Sequence, residues 1–547
     1  MNRATVRRVT AGLARYLGEV RSPVPGSNRN KPGGPRQPVV IGYDARHGSR
    51  EFADEAAAVL TGAGRRVLRL PGPVPTPVLA FAVRHLRAIA GVMVTASHNP
   101  RGDNGVKVYW TDGAQIVPPV DTGIAAAAAA AGPLRDIPLG DPGEALGDEV
   151  TEAYLDAILA AVPPGDRADR QQLHLAYTPL HGVGLGTVLR AFARAGFAEP
   201  AVVAAQAEPD GAFPTLPRPN PEEPGVLDLL IAEGDRSGAD LLLANDPDAD
   251  RLAAVIPGPA GGWRVLTGDE IGALLGDHLL RHERDPGRRL LVTTVVSSDL
   301  LGRMAAAAGA GYAETLTGFK WIMRAADGVD GQVRPSFLFG YEEALGYAVT
   351  DRVRDKDGMS AAIALAGAAA EASSEGGSLA TRLDDLARRF GLFTTGQFSV
   401  ALAAGQDADQ LADKDAGPAS RQDAGNDAAA GQDKDAGAAL LEAARANPPV
   451  SLLGQPVTVV DDLGLGLRSR EDGTKDPLAL PRSDVIIWRC GDGTRVALRP
   501  SGTEPKVKIY LQVVLPAAGR TDLAPLRAQS ARRLAELREE VTEVLNL

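Results

Sequence analysis

The sequence predicts an α/β protein assembled from doubly wound parallel sheets. Short apolar runs of the length of buried strands alternate with stretches of helical periodicity, the pattern of parallel strands joined by crossover helices. That alternation restarts near residues 39, 173 and 290, a spacing that belongs to domains rather than to a solenoid repeat. The 547 residues leave room for three or four such domains, at about 150 residues each.

Along the chain, Val6, Val9, Leu13, Leu17 and Val20 recur at three- and four-residue steps and predict a helix over 1–20. Its excess of Arg resembles a transit peptide, but Glu19 and the apolar stripe fit a core helix better. Pro23–Pro38 reads as a Pro/Gly/Asn loop. Strands are expected at Val39–Asp44, Arg66–Leu70 and Ala88–Thr95, with helices at Glu51–Ala63 and Pro77–Arg84 between them. The same order returns where Leu173–Tyr177 runs into Thr178–Gly184, and where Leu290–Val296 runs into Ser297–Asp299. Pro/Gly/Asp/Arg clusters place domain boundaries near 166 and 286, and a third falls near 395. Gln406–Gly437 holds almost no large apolar side chain, cannot offset its ordering entropy by burial, and reads as a disordered insertion. Strand over Val450–Val460, strand around Cys490 and an amphipathic helix over Leu523–Leu547 complete the chain.

Composition excludes several classes. A formal charge of −11 with no broad basic stripe argues against nucleic acid as a partner. No apolar run approaches the roughly 20 residues of a membrane span. The single cysteine, Cys490, reads as a small core residue and fits a reducing cytosol, so a cytoplasmic location is expected.

Four stretches carry chemistry. Ser97, in Thr95-Ala96-Ser97-His98-Asn99-Pro100, sits where a buried strand hands over to a turn; it is either a capping serine or one that carries a phosphoryl group. Its neighbour His98 would point away on an extended strand, and no G-x-S-x-G is present, so a hydrolase pair is not expected. Asp246, Asp248 and Asp250 alternate around a proline after an apolar run; without Cys or His they suit a hard cation, Mg²⁺ before Zn²⁺. Arg251 stands where an EF-hand needs Gly, so that motif is a poor fit. Glu342 and Glu343 lie between glycines and could accept bonds from sugar hydroxyls, with Asp355-Lys356-Asp357-Gly358 following. Arg499-Pro500-Ser501-Gly502-Thr503-Glu504-Pro505-Lys506-Val507-Lys508 offers hydroxyls, backbone N–H groups and cations to an anion such as phosphate.

These motifs, in this order, resemble the α-D-phosphohexomutase superfamily, which covers phosphoglucomutases and phosphomannomutases. Tyr43-Asp44-Ala45-Arg46, Thr178–Gly184, Pro209-Asp210-Gly211 and Leu316-Thr317-Gly318-Phe319-Lys320 add to the likeness, which spans the chain apart from 406–437. The resemblance implies three similar doubly wound α/β domains (1–166, 167–286, 287–395) and a smaller C-terminal α+β domain (396–547) around a central cleft. It implies that Ser97 is a phosphoserine and that Asp246, Asp248 and Asp250 hold Mg²⁺ together with its phosphate. Lys107 would stand near the transferring group and Arg251 beside the metal loop. Thr317, Gly318 and Lys320 would sense sugar orientation, and Glu342, with Glu343, would bind sugar hydroxyls. Arg499, Ser501, Gly502, Thr503 and Lys508 would take the phosphate that is not transferred. Phospho-Ser97 would give its group to a sugar monophosphate, forming a sugar 1,6-bisphosphate that turns round and returns its other phosphate. Lys356 is the preferred general base and His98 the alternative.

The expected activity is a Mg²⁺-dependent phosphosugar mutase, glucose 1-phosphate to glucose 6-phosphate first, working on small-molecule phosphosugars as a monomer or weak homo-oligomer. Phosphomannomutase and phosphopentomutase are the alternatives, because Ala344 stands where many relatives have Ser, and a non-catalytic sugar-phosphate binder is more remote. A D-x-D phosphatase would leave Ser97 and the Arg499 loop without roles. The resemblance also implies a strand bearing G-T-A-G-L-R ahead of Met1-Asn2. Its loss is expected to expose Val39–Tyr43 as a sheet edge and to mark Met1 as a late start.

Overall fold

The runs that begin at 39, 173 and 290 become Val39–Tyr43 (β1), Leu175–Thr178 (β6) and Arg289–Thr294 (β11), each an interior strand of its own sheet. This computed structural model describes residues 1–19, 37–259, 261–327, 335–401, 437, 439–500 and 506–546. Two units are resolved by their internal packing, Met1–Leu383 and Asp384–Leu547.

In the first sheet, β1 lies between Val67–Arg69 (β2) and Ala90–Val94 (β3), both parallel to it. Val106–Trp110 (β4) closes one side and Glu144–Ala145 (β5) the other, giving the order β4-β3-β1-β2-β5. Val39–Tyr43 is therefore not an edge: its apolar residues, buried from Val39 to Gly42, take the centre, where both ladders are filled. The second sheet adds Ala201–Val202 (β7), Leu241–Asn245 (β8), Leu252–Pro257 (β9) and Trp263–Val265 (β10), in the order β10-β9-β8-β6-β7. The third adds Gly311–Thr315 (β12), Ser336–Glu342 (β13) and Gly346–Ala348 (β14), in the order β12-β11-β13-β14.

None of these sheets is wholly parallel, as the sequence pattern alone suggested. β4 pairs antiparallel with β3, β9 with β8 and β14 with β13. The links are short, residues 95–105, 246–251 and 343–345. A parallel crossover needs about a dozen residues and usually a helix, so such links force the chain to double back. These three reversals fall at the same place in each order and are the loops with Ser97, the aspartates and Glu343; the second sheet turns once more, from β9 to β10.

Helices cover the sheets close to where periodicity places them. The first, Arg3–Glu19, buries Val6, Leu13, Ala14 and Leu17. It crosses Val120–Ala129 so closely that a Cβ on Gly12 would lie 2.6 Å from the Ala128 nitrogen, which only glycine allows. Ser49–Gly62 and Thr76–His85 follow β1 and β2. Gly268–His282 starts with a capping box in which Thr267 Oγ1 accepts from Glu270 N and Glu270 reaches back to Thr267 N.

The unit Asp384–Leu547 is built on antiparallel strands. Leu392–Ala401 (β15) pairs with Lys506–Leu515 (β22), and β22 with Arg495–Pro500 (β21). Ile486–Cys490 (β20) joins β21 to Gln455–Asp462 (β17). The strand expected over Val450–Val460 divides into Ser451–Leu452 (β16) and β17, because Leu453 (φ 50°) and Gly454 (φ 72°) form a two-residue turn of the kind that twists with a hairpin. Trp488, Ile486 and Cys490 are buried with Leu537 and Val541 of the terminal helix Ala524–Val544. Cys490 is thus the core residue expected, its thiol pushed up to about 11, first by burial. The proposed insertion 406–437 lies outside the described residues except for Gly437. No described helix is long and apolar enough to cross a membrane.

Candidate active site

β3 is buried at every position, and the chain must leave it sharply to bring a polar side chain out. It does so at Ser97, whose φ of 51° lies in the left-handed region that few residues other than glycine adopt. Ser97 N donates to Thr95 Oγ1 at 2.8 Å, and Thr95 Oγ1 donates to Asp44 Oδ2 at 2.6 Å. Around the turn, Arg46, only 4% exposed, points its guanidinium into the loop. Its Nη2 donates to the carbonyls of Ser97 and Asn99, both at 2.6 Å, and its Nη1 to those of Pro100 and Asp103 at 2.9 and 3.3 Å. One side chain therefore holds four carbonyls of the loop, which fixes a conformation the backbone alone disfavours. The left-handed turn also overturns one premise drawn from extended geometry. Ser97 Oγ lies 3.1 Å from His98 Nδ1, since the two residues no longer belong to a strand. Burial, then the Arg251 cation, pushes the His98 imidazole down to about 2, so it is neutral at neutral pH.

The β8–β9 reversal folds Asp246, Asp248 and Asp250 inward, and all three are fully buried. Ser97 Oγ donates to Asp246 Oδ2 at 2.7 Å, which joins the serine loop to the aspartate loop. Thr76 Oγ1 donates to Asp248 Oδ2 at 2.6 Å, and Lys107 Nζ reaches Asp248 Oδ2 at 2.8 Å and Asp250 Oδ2 at 2.7 Å. Burial and then the charges of Asp248 and Asp250 drive the Asp246 carboxyl well above its ordinary range. Asp248 goes the other way: burial opposes its charge, but Lys107 outweighs it and holds the carboxyl low. Asp248 Oδ1 and Asp250 Oδ1 find no hydrogen-bond partner among the described residues. One carboxylate oxygen from each residue lies within 4.8 Å of the others. Three converging carboxylates, two of them with a buried orphan oxygen, fit a hard divalent cation bound through oxygen.

Lys356 completes this cluster from the chain after β14, with Nζ 3.3 Å from Asp250 Oδ2 and 3.7 Å from Asp355 Oδ1. Burial opposes its charge, but Asp250, Asp355 and Glu342 push the ammonium up to about 12. Asp355 is itself held by Tyr109 OH at 2.6 Å and Gln115 Nε2 at 2.7 Å. Lys107 and Lys356 also line a cavity of about 360 Å³ with Gly318, Lys320 and Glu342, a size ordinary for small-molecule sites. Gly318 has φ 108° at the start of the short helix Phe319–Ile322, a conformation that calls for glycine. Half-buried Thr317 precedes it without lining the cavity.

Glu343 is turned elsewhere: Ser297 Oγ and Thr294 Oγ1 donate to its Oε2 at 3.1 and 3.3 Å. Arg251 ties the aspartate loop to the next reversal, its Nη1 donating to the Ala344 carbonyl at 2.7 Å, with Glu222 at 3.6 Å. In the other unit, Arg499 and Lys508 stand directly opposite each other on β21 and β22. Ser501, Gly502 and Thr503 lie outside the described residues.

Several site residues had no role in the sequence reading. Asp44 and Arg46 were visible as D-x-R after a strand, and Asp355 as the neighbour of Lys356. Thr76, Tyr109 and Gln115 carry no local signal, because they reach the site only through the fold.

Family models match the chain in order: phosphoglucomutase/phosphomannomutase α/β/α domain I over residues 1–134, domain II over 152–259 and domain III over 267–390. A Haemophilus influenzae protein named "Probable phosphomannomutase" is 37% identical over 554 aligned residues, covering 100% of this chain and 98% of that protein. A Staphylococcus haemolyticus phosphoglucomutase is 33% identical, covering 94% of this chain and 87% of its own length. A human phosphopentomutase is 32% identical, covering 98% and 86%. The crystal structure of a phosphoglucomutase/phosphomannomutase family protein from Burkholderia thailandensis shares the fold, with a TM-score of 0.66 at 19% identity, over 100% of this chain and 94% of that one.

Proposed function

Since this chain belongs to the phosphoglucomutase/phosphomannomutase family, we propose that it interconverts hexose 1-phosphates and hexose 6-phosphates, glucose first, through a phosphoserine at Ser97. The observation that carries this reading is the contact of Ser97 Oγ with Asp246 at 2.7 Å, inside a buried aspartate trio in which Asp248 Oδ1 and Asp250 Oδ1 lack partners. A hydroxyl held there by a four-carbonyl clamp is positioned and surrounded by groups that manage phosphate charge. Phosphoryl transfer asks for little more than that.

In the half-reaction, the P–O bond to Ser97 breaks while one forms to a sugar hydroxyl, and the hydroxyl proton must end on Ser97 Oγ. His98 Nδ1 lies 3.1 Å from that oxygen, but burial leaves its imidazole too weakly basic to take up the sugar proton itself. Lys356 is better suited to neutralise charge than to act as a base, since it stays protonated. Lys107 does the same beside Asp248 and Asp250. Mg²⁺ held by Asp246, Asp248 and Asp250 would supply further charge neutralisation for the phosphoryl group. Glu342 would accept bonds from sugar hydroxyls in the cavity that it lines with Lys320 and Gly318. Arg499, Lys508 and Ser501–Thr503 would bind the phosphate that is not transferred, and a sugar 1,6-bisphosphate would be the intermediate and priming ligand.

Ala344 favours a second reading within the same chemistry, because it offers the sugar a methyl group where a serine would offer a hydroxyl. Phosphomannomutase and phosphopentomutase activities follow from that reading. Coupled assays with glucose, mannose, ribose and deoxyribose 1-phosphates, each with Mg²⁺ and catalytic bisphosphate, decide between them. Fastest turnover is expected with glucose 1-phosphate. A tenfold preference for a pentose phosphate replaces the hexose assignment, and no conversion of any of the four overturns the mutase.

A further inference from the structure

We propose that His278, His282 and Glu371 form a second metal site, for a borderline divalent cation such as Zn²⁺, apart from the aspartate trio. The two histidines lie four residues apart on the helix Gly268–His282 and so share one face. Glu371 meets them from the helix Gly358–Ser374. Its Oε2 lies 3.3 Å from His278 Nδ1 and 2.8 Å from His282 Nε2. The two rings stand edge to face with centroids 4.9 Å apart. Ligands about 2.0–2.1 Å from a tetrahedral ion lie roughly 3.3 Å from one another, so small movements suffice to admit one.

The surroundings bear on the choice of ligand atoms and ion. His278 is 5% exposed and turns its Nδ1, not its outer Nε2, to Glu371, so Nδ1 is the nitrogen that would bind the ion. The charges are also apportioned. Arg281 is paired with Asp277 at 2.7 Å and Arg382 with Glu375 at 2.6 Å; Arg382 also stands 3.6 Å from Glu371 Oε1, which leaves Glu371 Oε2 to the histidines. The site lies in the last turns of its helix, where the dipole favours a cation. Two imidazoles and one carboxylate select zinc, cobalt or nickel over magnesium, unlike the all-oxygen trio. The bound ion would pin Gly268–His282 to the helix that begins just after Lys356.

The test uses the full chain, freed of metal, in excess Mg²⁺ to fill the aspartate site. Titration with Co²⁺ is expected to give one equivalent bound, with the visible ligand-field bands of a four-coordinate ion, displaced by Zn²⁺. His282→Ala and Glu371→Gln should lose those bands and weaken binding at least about tenfold, whereas Asp248→Asn should keep them. His282 is partly exposed, so its variant is the one chosen to avoid a folding defect; His282→Gln serves as a second, bulkier replacement. Bands that persist in both variants, bands absent from the parent at saturating Co²⁺, or a lone water at this position in crystals grown with Zn²⁺ overturn the proposal.

Discussion

At the scale of single residues, the site depends on one strained serine and the arginine that restrains it. Ser97→Ala removes the proposed phosphoryl carrier and should lower turnover about a thousandfold or more. The change should cost the fold about 1 kcal/mol or less, because the hydroxyl contributes only two part-buried contacts, to Asp246 and His98. Intact-mass measurement should find a phosphorylated fraction in the parent and none in the variant; full activity in the variant rules out this serine. Arg46→Ala should act oppositely, on stability first. Four carbonyls lose their donor, and buried Asp44, 3.4 Å from Arg46 Nε, loses its cation. Removing one partner of a buried pair typically costs about 3–5 kcal/mol. Urea unfolding measures it, and a loss under about 1 kcal/mol would mean that the loop holds its shape without the clamp.

At the scale of elements, short reversals at equivalent positions in three sheets present the chemistry. Ser97 leaves β3, the aspartates leave β8, and Glu342 closes β13. The third reversal leans on the start of the helix Gly268–His282, where a Cβ on Gly268 would lie 1.9 Å from the Glu343 carbonyl oxygen. Gly268→Ala must push helix and reversal apart and should destabilise the protein by about 1–3 kcal/mol. Because the same reversal carries Glu342, KM for the sugar phosphate should rise more than kcat falls. Unchanged KM in a folded variant would separate this contact from substrate binding.

At the scale of the whole molecule, loops from three sheets must meet before any of the proposed chemistry exists, and a cation is expected to hold that meeting together. Thr76 and Lys107 come from the first sheet region, the aspartates from the second and Lys356 from the third. Removing divalent metal with a chelator should abolish turnover, and Mg²⁺ should restore it. The melting temperature should fall with the chelator as well, since ligand bound only to the folded state stabilises it. Turnover that survives exhaustive chelation would exclude a metal role for the trio.

Much of this was legible in residue order. Apolar runs at 39, 173 and 290 marked the interior strands, because burial on both faces demands continuous apolar residues. The alternating aspartates marked a candidate cation site, because carboxylates so close in sequence repel unless a positive charge joins them. Tertiary structure alone decided which strands run antiparallel, since pairing direction follows from connection length and neighbours and not from the apolar pattern within a strand. It alone placed Ser97 against His98, because one positive φ redirects a side chain that an extended strand would turn away. It also brought Thr76 to Asp248, Tyr109 to Asp355 and Glu371 to His278, contacts spanning 172, 246 and 93 positions. Sequence records which groups can bear charge, donate or bend the chain. Distant groups become neighbours only when packing closes the loops between them, and no local pattern encodes that.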